Sequence, residues 1–81
     1  MNTPPLQPLH HRTLLNRAKL DLYARLTTAQ LLQSLLPGQP GSLKVRDDGT
    51  ILDGHHRVEV LRQRGIKVDQ LAREVLLKID L

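Results

Sequence analysis

The feature that most constrains the fold is a junction between a short apolar run and an amphipathic run. Residues 50–52 lead into a polar box, Asp53-Gly54-His55-His56-Arg57, which is followed by aliphatic and basic residues. Val58 and Leu61 lie three residues apart, the spacing that places side chains on one face of a helix. The pattern predicts a strand that leads directly into a helix over about residues 55–64.

The predicted helix also has a recognisable end. Gly65 is suited to the left-handed residue that follows a helix, and Ile66 is placed to make the hydrophobic contact just beyond it. Arg62 and Arg64 lie in or near the last turn, where cations complement the helix dipole, so we interpret both as structural. Further on, Asp69 is a candidate cap for a short turn.

Two more helices are predicted ahead of the junction. In residues 13–26, leucines and an alanine recur at three- and four-residue steps and would share one face. Thr27 and Gln30 have the spacing of a capping box, which predicts a second helix over 28–36. Proline and glycine in residues 37–41 end that helix in a loop.

Three short strands complete the predicted fold. Residues 43–46 alternate apolar and polar side chains, as a half-buried strand does. Asp48-Gly49 is a tight-turn signal, so the strand over 50–52 should return beside the first. Residues 74–80 predict a third strand with Val75 on its apolar face. The fold class is therefore α+β, with a small sheet of short strands and covering helices.

The chain divides into a lead and a domain. Three prolines within residues 1–12 predict a flexible N-terminal lead, and residues 13–81 predict a single domain, as suits a chain of 81 residues. A sheet of three short strands leaves edges that need covering. A partner subunit would supply such cover, so a homodimer is predicted.

Composition excludes several classes of function. The chain has no cysteine, which excludes disulfides, iron–sulfur clusters and thiolate chemistry and fits a cytoplasmic protein. Tyr23 is the single aromatic residue, so stacking of single-stranded nucleic acid is not expected. No run is long and apolar enough to cross a membrane, and no membrane partner is predicted. The net charge of +4 favours anionic partners.

The polar box has the chemistry of an anion-binding helix start. The first turn of a helix presents backbone N–H groups and the positive end of the dipole. Gly54 would let a phosphate approach the backbone closely, and the guanidinium of Arg57 suits phosphate geometry. His55 and His56 would donate hydrogen bonds to the same ligand. The box therefore predicts a phosphate site.

The same residues also have structural interpretations. Asp53 suits the N-cap of the helix; alternatively, it is an acid close to phosphate chemistry that holds Mg²⁺ or orients a nucleophile. Gly54 could serve only a turn, and Arg57 could simply be exposed. His55 and Glu59 are four residues apart, but two ligands are too few, so no metal site is predicted.

The stretch over residues 51–65 resembles the ParB/sulfiredoxin superfamily. In that family a strand ends in a DG-x-x-R or GERR-like box that opens a helix, and here the box reads DGHHR. The likeness extends over about residues 28–79. ParB proteins bind CTP, sulfiredoxins use ATP, and a related group of free-serine kinases uses ADP and carries a DGHHR-type box. The resemblance thus implies a bound nucleotide (CTP, ATP or ADP) with Mg²⁺.

The family pattern also suggests roles for individual residues. It implies that Gly54, His55, His56 and Arg57 contact phosphate, and that Asp53 is catalytic as in the kinase branch. Sulfiredoxins carry their catalytic cysteine where His55 stands, so sulfinic acid reduction is excluded.

Other departures from the family leave the function open. No helix-turn-helix region follows the domain, so centromere binding of the ParB type is not expected. Both glutamates come late in the chain, whereas the kinase branch uses an early one, so catalysis is left open. Two other functions remain possible: a non-catalytic DNA- or protein-binding module, and a degenerate domain in which the box only begins a helix.

Overall fold

A computed structural model describes residues 4–9 and 15–76 and confirms the predicted α+β class. The elements follow in this order: α1 (Arg17–Ala24), α2 (Thr28–Leu35), β1 (Lys44–Val45), β2 (Ile51–Asp53), α3 (His55–Gln63), a 3₁₀ turn (Val68–Gln70) and β3 (Glu74–Val75). Within the described residues, no helix has the length and apolar character needed to cross a membrane.

The first helix is shorter than the sequence pattern suggests. Asn16 has extended backbone angles, and its side-chain Oδ1 accepts the Lys19 N–H at 3.1 Å, so the helix begins at Arg17. The prediction that this helix would include residues 15 and 16 was therefore wrong, and residues 13 and 14 lie outside the described part of the chain. No side chain of α1 is fully buried.

The second helix begins with the predicted capping box. The Thr27 hydroxyl accepts the Gln30 N–H at 3.0 Å, and the Gln30 side-chain oxygen accepts the Thr27 N–H at 2.9 Å. Leu31 and Leu35 then point into the core, where both are fully buried. The helix ends one residue before the predicted Leu36, which already has extended backbone angles.

The sheet has the strand order β2-β1-β3. Strands β1 and β2 form an antiparallel hairpin, and Lys44 and Val45 pair in parallel with Glu74 and Val75 of β3. Strands β1 and β3 are shorter than predicted within the described residues, and residues 77–80 of the predicted last strand lie outside them. Strand β2 has the predicted three residues but begins and ends one residue later. Val75, predicted on the apolar face of that strand, is about half exposed.

Residues 4–9 pack on the domain instead of lying apart from it. Leu6 is buried in the core. Gln7 pairs with the outer edge of β2: its N–H donates to Gly49 O at 2.9 Å, and its carbonyl accepts the Ile51 N–H at 2.8 Å. One buried leucine and two backbone hydrogen bonds thus hold part of the expected flexible lead in place. Residues 1–3 and 10–12 of that lead are outside the described part.

The same segment explains the role of Asp69. Its Oδ1 accepts the Leu6 N–H at 2.9 Å, and no described side chain caps the 3₁₀ turn that contains Asp69. The prediction of Asp69 as a cap was therefore wrong. Gln7 pairs along the outer edge of β2, and the homodimer stays a prediction.

The core lies between α2, α3 and the sheet and is entirely aliphatic. The predicted anchors of α3 belong to it. Its buried members are Leu6, Leu31, Leu35, Leu43, Val45, Ile51, Val58, Val60, Leu61 and Val68.

The end of α3 follows the predicted glycine stop. Gly65 has a φ of 83°, its N–H donates to Arg62 O at 3.0 Å, and the Ile66 N–H donates to Leu61 O at 3.1 Å. Arg64 has a structural role, as predicted, but it acts on α1 and not on its own helix. Its Nη2 donates to Ala24 O at 3.0 Å and to Leu26 O at 2.7 Å. The guanidinium therefore satisfies carbonyls at the end of α1.

Candidate functional site

Helix α3 begins at a glycine and has no side-chain cap from the described residues. Gly54 occupies the N-cap position with φ 110° and ψ 9°, and its carbonyl accepts the Val58 N–H at 2.9 Å. Asp53 is one residue earlier, at the end of β2, with its side chain 55% exposed. The prediction that Asp53 caps the helix was therefore wrong, because the left-handed glycine takes the cap position.

Gly54 is required both by its backbone and by its neighbours. A φ of 110° lies in a region that side-chain-bearing residues rarely adopt. A Cβ added there would lie 3.1 Å from Leu35 Cδ2 and 3.2 Å from Leu43 Cδ1, which is tighter than ordinary packing allows. The glycine thus lets the junction between β2 and α3 pack directly on α2 and the start of the sheet.

Arg57 is turned toward the protein interior. It is 7% exposed, and its Nη1 donates to Ser34 O at 3.3 Å and to Ser34 Oγ at 3.1 Å. A Cβ on Gly41 would lie 3.1 Å from Nη1, so the loop glycine makes room for the guanidinium. The alternative interpretation of Arg57 as an exposed arginine was wrong. Its other terminal nitrogen, Nη2, lies 3.9 Å from Asp53 Oδ1.

The two histidines of the box contact the N-terminal part of the chain. His56 Nε2 accepts the Asn16 N–H at 3.0 Å, and His55 Nε2 accepts the Leu9 N–H at 3.4 Å. A neutral imidazole accepts at one nitrogen and donates at the other, so each histidine retains Nδ1–H as its donor. Burial, followed by the nearby Lys19 ammonium, lowers the pKa of His56 and favours this neutral form.

The first turn of α3 faces a cavity of about 250 Å³. All five box residues line it together with three residues from elsewhere. The lining is Lys19, Tyr23, Leu52, Asp53, Gly54, His55, His56 and Arg57. The charged side chains are two cations, Lys19 and Arg57, and one carboxylate, Asp53. The structure thus brings all the predicted site residues together around one cavity.

Sequence reasoning did not predict that α1 contributes to this site. Lys19 and Tyr23 come from a helix about 30 residues earlier in the chain, and the single aromatic residue of the protein is one of them. The available signal was their four-residue spacing, which puts both side chains on one helix face. Their approach to the box depends on tertiary packing, which that spacing does not determine.

The described residues do not assemble a metal centre. In the parts of the chain that the structure covers, no group of three or more metal-ligating side chains converges. Glu59, considered above with His55, accepts from Gln63 Nε2 at 3.1 Å and pairs with Arg62 at 3.7 Å. Its carboxylate is therefore engaged along its own helix.

Comparison with known proteins does not assign the site. The chain matches no described protein family, no curated protein and no solved structure. Membership of the ParB/sulfiredoxin superfamily therefore stays a prediction from residues 51–65, and the function must be inferred from the geometry and charge of the cavity.

Proposed function

We propose that this chain is a nucleotide- or phosphate-binding domain of the ParB-like type, with the ligand phosphate held at the start of α3. The observation that carries the proposal is the uncapped first turn of α3, which faces a cavity lined by two cations and one carboxylate. A cytoplasmic location, which the absence of cysteine favours, is part of the proposal.

The backbone would provide the first contacts. The second and third N–H groups of a helix, here those of His56 and Arg57, are the ones that a capping side chain normally satisfies. In the part of the chain that the structure describes, no side chain caps α3. A phosphate oxygen placed there would accept these N–H groups and lie at the positive end of the helix dipole.

The two cations would have different tasks. Lys19 is an exposed side chain on α1, so its ammonium can move to meet the ligand. Arg57 is buried and held by Ser34, so it would act through its fixed charge and the Nη2 edge. A preorganised cation of this kind costs little entropy when the ligand binds.

The cavity favours a ligand whose phosphate part is enclosed and whose remainder is exposed. Pockets that enclose whole drug-sized ligands have volumes of about 300–1,000 Å³, and this cavity is smaller. The family resemblance favours CTP, ATP or ADP, with Mg²⁺ arriving on the nucleotide. Asp53 would lie beside the phosphates and is the residue that would act in catalysis if a phosphoryl transfer occurs.

Calorimetric titration with CTP, ATP, ADP and pyrophosphate, with Mg²⁺ present, tests the proposal. Lys19→Ala should weaken binding by about three- to fivefold, as expected for one exposed ionic contact. Lys67→Ala, which removes an exposed lysine outside the cavity, should not change it. Because Arg57 also bonds Ser34, Arg57→Ala must be measured together with its unfolding free energy.

Two outcomes would contradict the proposal. One is the absence of binding to all four ligands by the wild-type protein. The other is equal affinity of the Lys19→Ala and wild-type proteins. A gel shift on duplex DNA over a salt series tests the alternative of a DNA-binding module, whose affinity should fall steeply with salt.

A further inference from the structure

Between described residues, a hydrogen bond joins the start of α3 to the start of α1. His56 Nε2 accepts the Asn16 N–H at 3.0 Å, although the two residues are 40 positions apart. Asn16 is also the N-cap of α1. An imidazolium carries protons on both nitrogens and cannot accept a hydrogen bond. The contact therefore exists only while His56 is neutral.

The rest of α1 packs against α3 and the core through partly buried side chains. None of its side chains is fully buried, and Leu20 and Tyr23, both partly buried, pack against the core. At its C-terminal end, Arg64 donates to Ala24 O at 3.0 Å. In addition to this packing, the described hydrogen bonds hold one end of α1 through the Arg64 guanidinium and the other through the neutral imidazole of His56.

The surroundings of His56 disfavour a second proton. Lys19 faces it from α1, Arg57 lies on α3 itself, and the positive end of the α3 dipole is at its backbone. Asp53, at the end of β2, is the one carboxylate lining the cavity, and its oxygen lies 3.9 Å from Arg57. In agreement with this balance, burial and then Lys19 lower the pKa of His56.

We propose that His56 is a pH-sensitive latch: the neutral imidazole holds the N-terminal end of α1 against the start of α3, and protonation releases it. Release would move Lys19 and Tyr23 away from the cavity. The latch concerns the ligand-free protein, so it stands independently of any bound nucleotide. Because the folded state favours neutral His56, the latch is closed above pH 6.5, the ordinary histidine value, and opens as the pH falls below it.

The Asn16 amide reports the latch directly in ¹⁵N NMR spectra recorded between pH 7.5 and pH 5. Replacing His10 and His11 by glutamine leaves His55 and His56 as the histidines of the chain. Below the midpoint, the protection of the Asn16 amide from hydrogen exchange should fall by about tenfold per pH unit, following the neutral fraction of His56. Tyr23 fluorescence anisotropy, from the single tyrosine in a chain without tryptophan, should change over the same pH range.

Two variants make the test decisive. In His56→Gln the side-chain carbonyl can accept the same N–H without titrating, so the transition should disappear. In Lys19→Met the loss of the neighbouring cation should move the midpoint upward. An unchanged transition in His56→Gln, or an Asn16 amide unprotected at pH 7.5, would overturn the latch. If circular dichroism shows that His56→Gln does not fold, the Lys19→Met variant decides. An upward shift of the midpoint supports the latch, and an unchanged or lower midpoint overturns it.

Discussion

The starts of α2 and α3 differ although both helices pack on the same core. At α2, Thr27 and Gln30 satisfy each other's backbone N–H groups through a complete capping box. At α3, Gly54 takes the cap position and no side chain of the described residues caps the turn. The α2 start is solvent-exposed, whereas the α3 start faces a cavity with Lys19 and Arg57 on its wall.

At α2, side chains accept the backbone N–H groups and stabilise the helix. At α3, no described side chain does so, and the N–H groups that a cap would use stay available to another acceptor. A side-chain cap stabilises a helix by about 1 kcal/mol relative to alanine at the same position, and by only a few tenths of a kcal/mol relative to glycine, the residue that begins α3. The left-handed Gly54 instead allows tight packing against Leu35 and Leu43. We infer that the first turn of α3 can bind an external anion, because no described side chain uses its N–H groups as a cap would.

The largest expected effect is at Gly54. Gly54→Ala should destabilise the domain by about 2–3 kcal/mol, because it adds backbone strain and a close contact with two core leucines. Gly65→Ala is the matched control: its φ is also positive, but nothing lies within 4 Å of the added Cβ. That variant should cost about 1 kcal/mol. Urea unfolding measures both, and equal losses would contradict the packing role of Gly54.

Removal of the cap at α2 should have an intermediate effect. Thr27→Ala breaks the capping box and should lower the free energy of unfolding by about 1 kcal/mol. Asp53→Asn removes the carboxylate nearest the start of α3 and should change it by less than about 0.5 kcal/mol, because Asp53 is not a cap. Thermal unfolding measures the loss of stability in both variants. A larger loss for Asp53→Asn than for Thr27→Ala would contradict the conclusion that Asp53 does not cap α3.

The other end of α2 should give the smallest effect. The Gly38 N–H, just beyond the helix, donates to Glu74 Oε2 at 3.1 Å. A hydrogen bond from Ser42, followed by this N–H, lowers the pKa of Glu74 below 4.5. The contribution of the ionised Glu74 carboxylate to the free energy of unfolding should be complete above pH 4.5 and be lost as the pH falls below that value. Glu74→Gln should flatten the pH dependence of unfolding in this window, and an unchanged curve would contradict the prediction.

Local signals explain most of what the sequence predicted. The capping box of Thr27 and Gln30, the glycine stop at Gly65 and the apolar spacing of Val58 and Leu61 each depend on residues a few positions apart. Such signals act through the backbone or along one helix face, so they gave the α+β class and the approximate position of α3.

The remaining features depend on contacts between distant parts of the chain. The inward orientation of Arg57 depends on Ser34 and Gly41, and the place of Leu6 in the core depends on backbone pairing with β2. The contribution of Lys19 to the cavity depends on how α1 packs against α3. No local pattern encodes these contacts. The mistaken cap at Asp53 has a local cause: the left-handed Gly54 shifts the cap by one residue.

The most direct measurement compares the amide groups of the two helix starts in one NMR titration with Mg²⁺ and ATP, CTP or ADP. A phosphate bound at α3 predicts saturable shifts of the His56 and Arg57 amide signals, while those of Ala29 and Gln30 at the capped start of α2 stay in place. Lys19→Ala should require a higher ligand concentration for the same shifts. Equal shifts at both helix starts, or none at α3, would contradict the account.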